Sequence, residues 1–342
     1  MTWTMPAETA PQDRIWMAFP REGATLGAGS AEREAGYAAW TAAAHAIAAF
    51  EAVTMIVDPS ETARARRMLG AGIEIVERVI DDFWLRDSGP TFVQAADGTL
   101  AAVDWIFNGW GGAAWTDAKN DRGLAGFIAG LVGAPVVSSL LVNEGGGIHV
   151  DGEGTILLTE TVQLDPGRNP HADKARVEAE MARTLGTSKA IWLPRGLARD
   201  YETFGTRGHV DIVATFAAPG KILLHDQTDP GHPDHATMRE ARAILAEATD
   251  ARGRKPEIIA LPAPATLRDA EGFVDWSYIN HLVVNGGVIA CGFGEDKADA
   301  RARDILAEAY PGRRVVSVDA RELFARGGGV HCITQQQPKV LR

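Results

Sequence analysis

The chain has 342 residues, 46% hydrophobic and 23% charged, enough to bury a sizeable core and too apolar for intrinsic disorder. Its 45 Asp and Glu against 34 Lys and Arg leave a formal charge of -11, which argues against nucleic acid or an anionic membrane as partner and weakly favours small cations. The two cysteines, Cys291 and Cys332, provide no disulfide framework, and a reducing cytoplasm fits best.

The opening MTWTMPAETAPQDR has neither a basic start nor an apolar run, so no signal peptide is expected. Strand and helix patterns then alternate. Helices are predicted over residues 31–51 with Ser30 as N-cap, 61–69 with Ser60 as N-cap, 120–132, 172–185, 235–248 and 297–310. Strand-like runs begin at Val53 (VTMIV), Ile73 (IEIVERVI), Thr155 (TILLTE), Ile191 (IWLP), Lys221 (KILLH) and Arg314 (RVVSV). The uncharged stretch from Gly123 to Asn143 is long enough to span a bilayer. Gly126, Gly130, Gly133 and Pro135 interrupt it, so it reads as a short buried helix followed by the core strand VVSSLLV. With no Pro-, Gly- or Ser-rich linker, residues 1–342 are expected to form one α/β domain.

A repeat runs through that domain. Four times a polar residue opens a strand that meets a Gly turn and returns: DSGPTFVQAADGTLAAVDW, EGGGIHVDGEGTILLTE, HVDIVATFAAPGKILLH and INHLVVNGGVIACGF. HCITQQQP supplies a fifth opening. The openings fall at Asp87, Glu144, Asp211, Asn280 and Cys332, at intervals of 57, 67, 69 and 52 residues. Each unit is a hairpin, a helix and a further strand, too small to bury its own apolar face. Five such units around an axis would aim the five openings at one central funnel, a pseudo-symmetric five-bladed α/β propeller.

The openings comprise two aspartates, a glutamate, an asparagine and a cysteine, with His209 two positions before Asp211. On a strand, His209 and Asp211 would share a face. A thiol beside an imidazole is a nucleophile with its proton carrier, and paired carboxylates hold a planar cation through charge-assisted hydrogen bonds. A guanidinium suits that combination.

The segments WLRDSGPTFV (Trp84 to Val93), NEGGGIHVDGEGTILLTE with RNP following (Asn143 to Pro170), GHVD (Gly208 to Asp211), SYINHLVVNGG (Ser277 to Gly287) and GGGVHCITQQQP (Gly327 to Pro338) resemble the agmatine deiminases. These belong with the bacterial peptidylarginine deiminases in the guanidine-modifying five-bladed propeller superfamily. PAE and IWMAFP near the start also match. The resemblance implies Cys332 as nucleophile, His209 as general acid/base, Asp87 and Asp211 as the guanidinium clamp, and Trp84 at the substrate pocket. It implies no cofactor and no metal, a small guanidinium substrate such as agmatine, and is compatible with a homo-oligomer.

This sequence departs from the family in one place. Relatives carry a Glu-Thr pair directly before GHVD, with the glutamate four positions ahead of the histidine to meet a distal amine. Here Gly205 holds that spacing, Glu202-Thr203 lies three residues earlier, and Arg207 adds a positive charge two residues before His209. Arg207 would favour a carboxylate-bearing guanidine such as arginine or a guanidino acid; a loop that folds back would restore Glu202 and favour agmatine.

Plainer roles compete elsewhere. Cys291, inside VIACGFG, reads as a small buried hydrophobe. Glu144 and Asn280 either line the substrate site or support its wall. His149-x-Asp151 mimics GHVD but reads as a hairpin turn, and in HPDH (His232 to His235) Asp234 reads as an N-cap. Three rival functions fit less well: a metal-dependent ureohydrolase, a guanidine-binding protein without activity, and an amidinotransferase or dihydrolase.

Overall fold

In each unit an antiparallel hairpin leads into a helix, and the chain returns as a third strand parallel to the second. The structure is a computed structural model that describes residues 2–340, and these form an α/β fold of five small sheets. In the first, Thr91–Ala95 and Leu100–Ile106 pair, the helix Leu124–Leu131 follows, and Val136–Val142 completes the sheet; Trp3–Thr4 adds beside Thr91–Ala95. The second has Ile148–Val150, Thr155–Thr159, the helix Lys174–Leu185 and Lys189–Leu193. The third has Ala214–Ala218, Lys221–Asp226, the helix Asp234–Glu247 and Glu257–Pro262. The fourth has Leu282–Val284, Gly287–Gly292, the helix Asp296–Ala309 and Arg314–Asp319.

The fifth sheet joins distant parts of the sequence. Thr334–Pro338 pairs antiparallel with Gln12–Ala18, the helix Ser30–Ala48 follows, and Val53–Val57 returns in parallel, with Thr62–Leu69 and Glu74–Glu77 beyond. The Trp16 indole donates to Gln337 Oε1 at 2.9 Å across that seam.

Strand burial follows position. Thr155–Thr159 and Gly287–Gly292 are buried throughout, as expected where both faces of a sheet are covered. Third strands such as Glu257–Pro262 are mostly half-buried. The helices pack by apolar spacing: in Lys174–Leu185, Val177, Met181 and Leu185 fall four residues apart and face inward. The Asp173 side chain caps its start at Arg176 N (2.8 Å), and Gly186, at φ +72, ends it.

Several local expectations change. Gly29, not Ser30, is the N-cap of the first long helix, with Glu32 accepting from Gly29 N at 3.3 Å. Before Thr62, residues Pro59–Glu61 form a separate 3₁₀ turn capped by Asp58, so Ser60 donates rather than caps. Asp234 begins its helix but turns its carboxylate to Ala198 N at 2.7 Å. The strand VVSSLLV forms, but as the outer edge of its sheet: Leu140 is 80% and Val136 45% exposed, while Ser139 and Leu141 face inward. Absence of charge was misread there as burial. No described helix is long and apolar enough to cross a membrane.

An aromatic cluster links the buried core to Trp84. Trp40, fully buried, meets Phe83 and Trp84 edge-on at 5.0 and 5.4 Å. Trp40→Ala is expected to destabilise the protein by about 3–5 kcal/mol, measured by urea unfolding, and to loosen Trp84 with it.

Candidate active site

The five openings do not sit on strands. Asp87 lies in the helical turn Leu85–Ser88, Glu144 precedes the 3₁₀ turn Gly145–Gly147, Asp211 lies in the 3₁₀ turn Val210–Ile212, and Asn280 and Cys332 lie in turns before their strands. His209 and Asp211 therefore converge through a turn, not through strand alternation. All five openings are buried, as are Trp84 and His209.

Hydrogen bonds tie them together. Asp87 Oδ1 accepts from Gly146 N at 3.1 Å, and Oδ2 from the Trp110 indole at 2.8 Å. Glu144 Oε2 lies 3.3 Å from His209 Nε2, and His209 Nδ1 faces Asp87 Oδ1 at 3.8 Å. The Cys332 thiol lies 3.5 Å from Asp211 Oδ2, and Asn280 Nδ2 donates to the sulfur at 3.2 Å. Asn280 also accepts from His331 N at 3.0 Å, which fixes the turn carrying the thiol. Trp84 and Cys332 flank Gly328: a Cβ there would sit 3.0 Å from the indole and 2.8 Å from the sulfur. Gly146 is required for a similar reason, since any side chain would collide with the His209 ring. The EGGG run thus lets backbone pass between Asp87 and His209.

The charges are unevenly compensated. Glu144 has its own cation: Arg168 Nε donates to both its oxygens at 3.0 Å, and despite burial Arg168 and His209 hold this carboxyl below its usual range. Asp211 has His331 at 2.8 Å, which outweighs burial and also holds it low. Asp87 has only the more distant imidazole. Burial pushes it up to about 6, and the negative charges of Glu144 and Asp211 add to that. Burial alone would lower His209, but Asp87, Glu144 and Asp211 prevail and raise it to about 9. Burial, then Asp211 and Asp87, push the Cys332 thiol well above its usual range. The arrangement is a neutral thiol facing two carboxylates, one of which lacks a dedicated cation. A planar cation placed between Asp87 and Asp211 would reverse the field at the sulfur.

Two expected substrate contacts face other groups or solvent. The Arg207 guanidinium, half exposed and on a left-handed backbone (φ +70), pairs with Asp165 Oδ2 at 3.1 Å. Asp165 in turn binds Arg168 at 2.8 Å. Glu202 is exposed. Cys291 is buried, and burial pushes its thiol up to about 12. His149 is buried beside Glu8, while Asp151 accepts from Glu153 N and Thr155 N and so forms the hairpin turn.

Four partners went unremarked in the sequence. Arg168 was visible only as part of RNP. Trp110 is held at φ +52, a conformation uncommon for a bulky residue, amid the glycines of NGWGG, and that flanking was the available signal. Glu8, which accepts from His331 Nε2 at 2.8 Å, lay in PAE. Asp200 accepts from Thr206 N and Gly208 N at 2.6 Å, His209 N at 3.1 Å and Thr206 Oγ1 at 2.6 Å, and so shapes the inserted loop before His209.

Among the described residues, one group brings His and carboxylate ligand atoms close enough to bracket a metal: Glu8, His149 and His331. Both His331 nitrogens already face carboxylates and the Arg86 guanidinium stands 3.6 Å from Glu8, so the group does not suit a cation.

A model of the Porphyromonas-type peptidyl-arginine deiminase family matches residues 4–338, and the chain belongs to that family. It is 54% identical over 341 residues to a Streptomyces coelicolor protein provisionally named agmatine deiminase, covering 99% of this chain and 100% of that one. An agmatine deiminase of Pseudomonas fluorescens is 40% identical, with 98% and 95% covered. Among solved structures, an agmatine deiminase of Enterococcus faecalis superimposes with a TM-score of 0.91 at 32% identity, over 99% of this chain and 97% of that one.

Asp200→Ala is expected to strip several buried N–H donors of their acceptor and destabilise the protein by at least about 2 kcal/mol. Hydrogen exchange should show the amides of Thr206, Gly208 and His209 losing protection.

Proposed function

We propose that this chain is a hydrolase of C–N bonds in linear amidines that converts agmatine and water to N-carbamoylputrescine and ammonia. The observation that carries this reading is the buried Cys332 thiol facing Asp211, with Asp87 across the site. The substrate guanidinium lies between the two carboxylates, and its charge stabilises the Cys332 thiolate as the thiol proton is released to solvent. The sulfur attacks the central carbon, His209 protonates the departing nitrogen, and ammonia leaves an amidino-cysteine. His209, now neutral, takes a proton from water, whose oxygen bonds to the same carbon; the C–S bond breaks and returns the thiolate. Glu144 holds His209 through Nε2, Asn280 holds the sulfur, and Trp84 forms the adjoining wall. These steps call on the chain's own side chains only.

The five units are arranged, in this reading, as blades of a single domain around a pseudo-five-fold axis. The protein works in the cytoplasm, where two free thiols persist, on a small molecule and without nucleic acid or membrane. The engagement of Arg207 by Asp165 favours a cationic substrate tail over a carboxylate. A cavity of about 370 Å³ lies beside Gly327, where Glu32 is the lining carboxylate left over once Glu271 pairs with Arg199 and Glu322 with Arg326, and where burial pushes Asp275 up to about 7. A guanidino acid is the second reading, resting on the half-exposed Arg207.

Ammonia release should be greatest with agmatine among agmatine, arginine, peptides ending in arginine, and guanidino acids. If the unmodified enzyme turns over a guanidino acid faster than agmatine and Arg207→Ala selectively destroys that turnover, the agmatine assignment falls. Cys332→Ala should abolish turnover without unfolding the protein, and mass spectrometry with a slow substrate should find the adduct on Cys332 and none on Cys291. Asp87→Asn should reduce kcat/KM by orders of magnitude. In the unmodified enzyme kcat/KM should fall as the pH drops through about 6, where Asp87 takes up its proton.

A further inference from the structure

We infer that Glu8 and His331 are positioning residues that hold Asp211 charged and aimed at the substrate, forming a line Glu8–His331–Asp211 behind the nucleophile. The inference rests on the deiminase reading above and assigns work to two residues that reading leaves idle.

The geometry is symmetric about one imidazole. His331 Nδ1 lies 2.8 Å from Asp211 Oδ2, and its Nε2 lies 2.8 Å from Glu8 Oε1. A neutral imidazole has a single N–H to donate, so two ionised carboxylates at that distance call for the imidazolium. Glu8 is ionised, because cations and donors surround it: Gln336 Nε2 donates to it at 3.3 Å, the Arg86 guanidinium stands 3.6 Å away and His149 Nε2 faces it at 3.7 Å. His149 Nδ1 accepts from Phe216 N at 3.2 Å, which places the His149 proton on the nitrogen facing Glu8. The other groups around His331 are Cys332, its chain neighbour, Arg86, whose Nε donates to the His331 carbonyl at 3.2 Å, and His281. Burial and Arg86 oppose a charge on His331; Glu8 and Asp211 prevail and raise it above its ordinary value.

The consequence lies at Asp211. One oxygen is fixed by the imidazolium, and the other, Oδ1, is buried with no hydrogen-bond partner. That oxygen is the one free to take a guanidinium N–H. Asp87, with no such imidazolium at hydrogen-bond distance, takes up a proton far more readily. The two halves of the clamp are thus unequal, and the difference is set from Glu8, at the other end of the chain from Cys332.

The test combines a direct measurement on the unmodified enzyme with Glu8→Gln. NMR of the His331 ring, located by the signals missing from His331→Gln, should show both nitrogens protonated at pH 7. An unprotonated ring nitrogen at pH 7 overturns the inference whether or not the protein releases ammonia, which separates its failure from that of the deiminase reading. Glu8→Gln keeps the shape and removes one of the two charges, so His331 should lose its proton at a lower pH than in the unmodified enzyme. Its KM for agmatine should then climb by about tenfold as pH rises, while kcat changes less and the unmodified enzyme shows no such climb. A merely structural Glu8 would lower activity by the same factor at every pH. A Glu8→Gln profile parallel to that of the unmodified enzyme overturns the inference.

Discussion

Burying negative charge beside a thiol is the constraint that the rest of this structure answers to. Asp87, Glu144 and Asp211 are each at most 4% exposed, and Asp211 lies 3.5 Å from the Cys332 sulfur. Carboxylates so placed neutralise by taking up protons unless cations or donors are supplied. Arg168 serves Glu144 and His331 serves Asp211, while Asp87 receives one indole N–H, one backbone N–H and a distant imidazole. The supports come from four different units, so the electrostatics and the fold cannot be separated. Arg168 alone bonds to Glu144, Asp165 and the Thr206 carbonyl, linking the second opening to the loop before His209.

The same constraint explains why glycine is concentrated near the site. Backbone N–H groups can reach a buried carboxylate only where no side chain intervenes, and Gly146 brings its N–H to Asp87 while lying against the His209 ring. Gly328 is packed between Trp84 and Cys332, where a side chain would collide with both.

Much of this was legible in the sequence because the repeat has a fixed grammar: a polar opening, a strand, a Gly turn and a return. Asp87, Glu144, Asp211, Asn280 and Cys332 stand out by that grammar, and in the structure all five are buried, with Cys332 bonded to Asp211 and Asn280 and His209 lying between Glu144 and Asp87. Side chains that reach the site from outside the grammar were not legible. Trp110 arrives from a loop by an unusual backbone conformation, and Glu8 from a segment with no periodicity. The partner of Arg207 was not legible, because a formal charge says nothing of what it meets, and Asp165 lies 42 residues away. Local errors had local causes: VVSSLLV lacks charge yet lies at a sheet edge, and His209 to Asp211 form a turn that spacing alone could not distinguish from a strand.

The pairing of Thr334–Pro338 with Gln12–Ala18 has a consequence for biosynthesis. A growing chain emerges with Gln12 early and Gln337 some three hundred residues later, so the fifth sheet lacks that edge strand throughout translation of the other four. Cys332 stands two residues before the strand, and the sulfur is the last of the five openings to be synthesised. For most of its synthesis the chain carries the carboxylates without the thiol.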